Sequence, residues 1–257
     1  MQAKGADGGM IRRLAVLAIG AVFGLGPAAL AGPPFVTDDP EPVELGHWEL
    51  YIGSQVQHDP TGYAGTAPQI EANYGAIKNL QLHVIAPLAY DHPSGAQTQF
   101  GVGDLEVGLK YRFLNQAPGR PSVGLFPLVE FPTGSSDRGL GSGHVQLFLP
   151  VWIQKDWGKW TSYGGGGYFV DGQNGDANYT LLGWEIQRQL SGHLMLGTEL
   201  FTTVPSSAGA ETDLNFNVGG QIDINDQNHL LFSSGRSFKG DLSYMGYIAY
   251  QWTFGPK

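Results

Sequence analysis

The chain has 257 residues, no cysteine, 39 glycines, 14% charged and 12% aromatic residues, which suits one barrel or one ordinary domain and excludes a disulfide scaffold. Lys plus Arg number 14 against 23 Asp plus Glu, a formal charge of −9 that repels phosphate backbones and excludes nucleic acid as a partner. The 42% hydrophobic content fits a soluble fold and a membrane barrel alike, because apolar and polar residues alternate along barrel strands.

Arg12 and Arg13 precede an apolar run from Leu14 to Leu30, and Ala29-Leu30-Ala31 offers small residues where a signal peptidase reads. Cleavage is expected after Ala31, dividing the chain into a signal peptide, 1–31, and an outer-membrane barrel domain, 32–257. A retained membrane helix fits less well, because Gly20, Gly24, Gly26 and Pro27 interrupt the run and the Pro-rich stretch Gly32 to Pro42 follows it.

From there a period of two takes over. Leu80, Leu82, Val84 and Leu88 alternate with Gln81 and His83, and Leu105, Val107, Leu109, Tyr111 and Phe113 with Asp104, Glu106, Gly108, Lys110 and Arg112. Val145 to Ile153, Leu194 to Val204 and Leu214 to Ile224 repeat the code, placing one set of residues on each face of a strand.

Strands are expected near 46–57, 68–76, 79–90, 99–113, 120–131, 143–155, 159–171, 177–189, 192–204, 212–224, 228–236 and 242–254. That makes twelve, an even number as single-chain bacterial barrels have. Gly75–Asn79, Asn115–Arg120, Lys155–Lys159, Gln189–Gly192 and Asn225–Asn228 read as short periplasmic turns. His58–Ala67, Asp91–Thr98, Pro132–Gly141, Asp171–Asp176, Pro205–Glu211 and Ser237–Asp241 read as outer loops. Trp48, Tyr74, Phe113, Trp157, Trp160, Trp252 and Phe254 sit near strand ends, where amphipathic rings suit the headgroup layer. The fold class expected is therefore all-β: an antiparallel transmembrane β-barrel of about 12 strands in the outer membrane of a Gram-negative bacterium.

The final strand, with Tyr244, Ile248, Tyr250, Trp252 and Phe254 on one face, resembles the signal read by the outer-membrane assembly machinery, which becomes an expected partner beside the membrane lipids. Phe35-Val36-Thr37-Asp38-Asp39-Pro40, Gly46-His47-Trp48-Glu49-Leu50, Tyr74-Gly75 and Asn79-Leu80-Gln81-Leu82, with Gly101-Val102-Gly103-Asp104 and Lys110-Tyr111-Arg112, resemble the MetA-pathway of phenol degradation family of outer-membrane transporters. The resemblance implies a barrel that passes small molecules, with hydrophobic or aromatic compounds as the suggested cargo.

Opposite the apolar stripe lie Glu49, Glu71, Asp104, Glu106, Glu130, Glu185, Glu199 and Asp223, together with Lys110, Arg112, His47 and His83. A twelve-strand lumen is wider than one that side chains fill and narrower than an open porin, so these residues are expected to decide passage. Acids lining it would disfavour anions, unless they pair with Lys110 and Arg112 and close the bore.

No enzyme, cofactor or metal is expected. Gly164–Gly167 lacks the Lys-Ser/Thr of a phosphate loop and falls within a strand, and Gly101 and Gly103 open no helix. His58-Asp59 and Asp91-His92, read as loop residues, match no zinc spacing. Ser142 with His144 is the only pair worth weighing for a lipid-modifying enzyme, the alternative to transport, beside a structural or surface-binding barrel with a plugged lumen.

Overall fold

The computed structural model describes residues 33–171, 178–207 and 211–256. The expected signal peptide lies outside the described residues, as does most of the expected loop Asp171–Asp176.

Among the described residues the chain is all strand apart from one 3-10 turn, Ser136–Arg138. In order the strands are β1 Trp48–Asp59, β2 Gly62–Ile77, β3 Leu80–Pro93, β4 Gln99–Val102, β5 Leu105–Leu114, β6 Ser122–Leu125 and β7 Leu128–Phe131. They continue with β8 Gln146–Trp157, β9 Trp160–Val170, β10 Tyr179–Gln189, β11 Leu194–Pro205, β12 Leu214–Asn225, β13 Asn228–Lys239 and β14 Tyr244–Phe254. The short segments β4 and β5 form one stave broken at Gly103-Asp104, and β6 and β7 another broken at Phe126-Pro127, so the 14 strands make the twelve expected staves. Every neighbour pairs antiparallel, and β1 meets β14 from Trp48↔Phe254 to His58↔Tyr244, which closes the sheet.

Closure removes the open edges that hydrocarbon does not tolerate. The burial pattern is that of a soluble protein turned inside out. Ile52, Leu82, Val84, Leu149, Trp184, Leu200, Val218 and Ile248 are exposed on the outside, while Gln69, Asn73, Gln187, Asn215, Asn217 and Gln251 are buried within. Each outward aliphatic or aromatic side chain is stabilised by about 1.5–3 kcal/mol on leaving water for lipid. At the short-turn end Trp48 stacks on Tyr74 with ring centroids 4.5 Å apart, and Trp252 lies 4.3 Å from Phe254. That cluster ties the first and last staves together within an aromatic girdle.

One expected loop is wrong. His58–Ala67 is mostly strand: β1 and β2 run on to a tight turn at Pro60-Thr61, where the Asp59 carboxylate accepts hydrogen bonds from the Thr61 N–H (2.7 Å) and hydroxyl (2.6 Å). Gly62 there has φ +144°, a value that favours glycine. The hairpin stands above the apolar band, where both faces meet water and no alternation is required, so its Gly and Thr content gives no strand signal. For the same reason His58, Asp91 and His92 lie on strands and not in loops. The Gly164–Gly167 run is in β9 as expected. A Cβ on Gly165 would sit 2.1 Å from the Val151 carbonyl oxygen, and one on Gly166 2.0 Å from that of Leu181. The run is thus wall packing and not a ligand loop.

Candidate functional site: the lumen and its N-terminal plug

The segment from Pro33 to His47 does not leave the barrel; it lies inside it. The Ser233 hydroxyl donates to the Pro34 carbonyl (2.7 Å), and the Glu199 carboxylate takes the N–H groups of Val36 (2.9 Å) and Thr37 (2.8 Å). Further down, the Val43 N–H donates to the Gln81 side-chain oxygen (2.9 Å) and the Gly46 N–H to the Gly75 carbonyl (2.7 Å) at the short-turn rim. A segment with four prolines between Pro33 and Pro42 can donate few backbone hydrogen bonds, so it suits a place where the wall supplies side-chain acceptors.

Two glycines of the wall make room for it. A Cβ on Gly183 would lie 2.1 Å from the Thr37 hydroxyl, and one on Gly124 2.9 Å from the Pro40 Cβ. Electrostatics finishes the seat: the Lys110 ammonium lies 2.9 Å from Asp38 and 3.7 Å from Asp39, and Arg112 pairs with Glu41. Lys110 and Asp39 are both buried, so removing Lys110 would leave the Asp39 carboxylate without its cation. The two inward cations therefore bind the plug's acids; among the described residues no ion pair joins them to a wall carboxylate.

The expected lumen acids fall into separate groups. Glu185 and Glu199 are register partners on β10 and β11, facing the plug; Glu185 is fully buried, and among the described residues its carboxylate has no hydrogen-bond partner. Glu71 and Glu106 gather on the other side around His83. The His83 ring lies 2.9 Å from Glu106 through Nε2, 2.7 Å from the Asn73 side-chain oxygen through Nδ1, and 3.7 Å from Glu71. Glu130 is the register partner of Glu106. Glu49 accepts a hydrogen bond from the Tyr51 hydroxyl (2.8 Å), lower in the barrel. Asp223 stands apart near the short-turn end, 2.7 Å from His229 and from the Gln221 side-chain nitrogen. His47 lies at that rim, 3.2 Å from the Leu45 carbonyl oxygen.

Asp104 has a different task. Its carboxylate accepts from the N–H of Gly134 (2.9 Å) and from the N–H (2.6 Å) and hydroxyl (2.7 Å) of Ser142, anchoring the strap that joins β7 to β8. Ser142 is thereby engaged, and the His144 ring lies 2.9 Å from Asp171. Serine and histidine are not arranged as nucleophile and base. Among the described residues no cluster of three or more His, Asp or Glu side chains could hold a metal ion.

Among the described residues, two cavities lie beside the plug. The upper one, about 640 Å³, faces the outer loops, and the lower one, about 280 Å³, reaches towards the short turns. Both are lined by Phe35, Val36, Glu71, Ile85, Glu106 and Leu128, so they adjoin beside the plug on the β2–β5 side. The upper cavity also has a row of rings that alternation alone did not single out. Phe148, Phe169 and Tyr179 are register partners, with centroids 6.4 Å and 4.6 Å apart, and they line the cavity together with Glu130 and Glu106.

Solved structures share this architecture. An outer membrane channel from Pseudomonas putida F1 is 17% identical, with TM-score 0.63 over 84% of this chain and 98% of its own. The KdgM porin in complex with disordered oligogalacturonate is 10% identical, with TM-score 0.56 over 79% and 99%. The translocator domain of autotransporter NalP from Neisseria meningitidis is 10% identical, with TM-score 0.53 over 81% and 88%. No curated protein matches the sequence. The barrel has the fold of these outer-membrane channels and porins. With residues 66–241 matching its profile, the chain belongs to the family described as "Putative MetA-pathway of phenol degradation".

Proposed function

We propose that this barrel passes small molecules across the outer membrane along the side of the lumen that the plug leaves open. The observation that carries the reading is the pair of adjoining cavities, whose shared lining joins apolar Phe35, Val36, Ile85 and Leu128 to the carboxylates of Glu71 and Glu106. Such a lining accepts a solute with an apolar or aromatic body and a polar or cationic end, and disfavours anions. The description of the family by phenol degradation supports an aromatic body in that cargo. In this reading Glu71, Glu106 and Glu130 shape selectivity, while Glu199, Lys110 and Arg112 hold the plug and Glu185 lies beside it. The protein acts as a channel and not as an enzyme.

Planar-bilayer recording of the purified protein under a KCl gradient tests it. The expected result is a small, steady conductance with a reversal potential of the sign that favours K⁺ over Cl⁻. Absence of conductance, together with absence of uptake of a small phenolic compound by cells that express the protein, would refute it. A plugged structural barrel is the second reading, favoured by the seat of Pro33–His47, and that same silent bilayer is what it predicts.

Export belongs to the proposal too: processing after Ala31, then insertion by the assembly machinery through the β14 signal among outer-membrane lipids. Intact-mass measurement of the membrane-extracted protein checks the first step, a mass starting at Gly32 being expected.

A further inference from the structure

A pocket also opens on the outside of the barrel, away from the bore and its plug. Near the short turns the outward positions of β8 to β10 are register neighbours: Ile153 and Trp184 flank Gly164, and Lys155 faces Ser162. Both β9 residues are small, so the outer surface dips between its two neighbours. A Cβ on Gly164 would lie 2.6 Å from the Trp184 ring, which leans over the glycine. Between that ring, Ile153 and Trp157 lies a pocket of about 420 Å³ with Ser162 in its lining. The buried Ser162 hydroxyl donates to the Glu185 carbonyl (2.7 Å), which leaves the pocket apolar at that point.

Towards the rim the pocket is closed by Gly119-Arg120-Pro121, in the turn between β5 and β6. That turn is tied to β8. The Lys155 ammonium donates to the carbonyls of Ala117 and Arg120 (3.0 Å each), the Gln116 side chain donates to the Asp156 carbonyl (3.2 Å), and the Asp156 N–H donates back to the Gln116 side-chain oxygen (2.8 Å). The pocket is thus formed before anything enters it, which lowers the ordering cost of binding.

Depth sorts what this face presents. Trp157 and Trp160 pair across the β8–β9 turn, where amphipathic rings suit the headgroup layer. Ile153 and Trp184 stand four positions further along their strands than Trp157 and Arg188, roughly 13 Å at the usual strand rise, and so lie among acyl chains. At the headgroup level gather Arg120, Lys155, Lys159 and Arg188, from a chain with only 14 Lys and Arg against 23 acids. Arg120 spends its Nε on the Asn115 carbonyl (3.2 Å), and Arg188 lies over the Trp160 ring, 5.1 Å from its centroid. Among the described residues none of the four makes an ion pair. The neighbouring acid, Asp156, is turned to the inner face, where it accepts from the buried Thr161 hydroxyl (2.7 Å).

We infer that this face binds one anionic phospholipid of the periplasmic leaflet, its phosphate on Arg120 and Lys155 and an acyl chain in the pocket between Ile153, Trp157 and Trp184. Guanidinium and ammonium donors suit a phosphodiester, and Lys159 and Arg188 beside them favour a headgroup that brings no ammonium of its own. A pocket that opens into hydrocarbon suits a lipid and not a soluble partner. Its place beside the short turns selects the phospholipid leaflet over the lipopolysaccharide one. The site needs only that the barrel spans the outer membrane, whatever passes through the bore.

Native mass spectrometry of the purified barrel, mixed in detergent with phosphatidylglycerol or with phosphatidylcholine of the same acyl chains, tests the site. One phosphatidylglycerol should stay bound, and phosphatidylcholine should be retained severalfold less. Arg120→Gln with Arg188→Gln should bring phosphatidylglycerol down to the phosphatidylcholine level. Ile153→Trp keeps every charge and fills the pocket, and it should lower phosphatidylglycerol retention severalfold as well. Heat-modifiable gel mobility checks that both variants are folded barrels. Equal retention of the two lipids overturns the site, and so does phosphatidylglycerol retention that survives either variant; survival in Ile153→Trp alone would reduce it to diffuse attraction by surface charge. Bilayer current is recorded from the same preparations: a barrel that conducts but holds no lipid loses this site and keeps the channel reading, and one that holds the lipid without conducting does the reverse.

Discussion

The carboxylates on the two sides of the lumen are alike in kind and do opposite things, while the cations Lys110 and Arg112 of β5 tie down the plug's acids. On the β9–β12 side Glu185, Glu199 and Asn217 face a chain segment packed against them, and glycine stands where a side chain would strike it. On the β2–β5 side Glu71, His83 and Glu106 face open cavity. An inward carboxylate is thus a structural acceptor or a selectivity group according to whether a backbone N–H is brought to it, and its position in the strand period is identical in the two cases. Charge of the wall explains little until the occupant of the bore is known.

Mutations can break that contrast. The largest effect is expected from filling the cradle: Gly183→Val puts carbon where the Thr37 hydroxyl lies, and it should expel the plug and raise single-channel conductance severalfold. Gel mobility should still report a folded barrel, because the added side chain faces the lumen and not the ladder. Next comes Lys110→Met. Breaking a buried pair costs about 3–5 kcal/mol, spent here on seating Asp38 and Asp39, so the same recordings should show frequent steps to a larger level. Glu106→Gln, on the open side, should leave conductance nearly unchanged and move the reversal potential towards zero as K⁺ preference weakens. Asp223→Asn should shift it least, since that carboxylate stands apart near the rim and is already shared by His229 and Gln221.

The staves were legible because their outward and inward faces meet two different media, which forces a period of two on residues such as Leu105 to Phe113. Even the two broken staves were counted rightly, since each keeps one direction across its break. The plug was not legible. Its conformation is set by partners 38 to 199 positions away, such as Gln81, Glu199 and Ser233, and four prolines in ten residues carry no period. A trace of it was present: Lys110 and Arg112 are inward cations in an acid-rich lumen, and Asp38, Asp39 and Glu41 form an acidic run that the barrel pattern leaves without a partner. The strap had a similar trace in Pro132, a residue that cannot prolong a stave. Its anchor Asp104 could not be told from a selectivity acid, because both readings place it at an inward position at a strand end.

The seat of residues 33–43 inside the bore is what sets the carboxylates of the two walls apart, and deleting that stretch from the protein tests it most directly. Single-channel recording should then give a conductance several times that of the intact chain, with the preference for K⁺ retained by Glu71 and Glu106. An unchanged conductance from a correctly folded deletion variant would mean that the segment does not occupy the path, and the account of the lumen would be wrong.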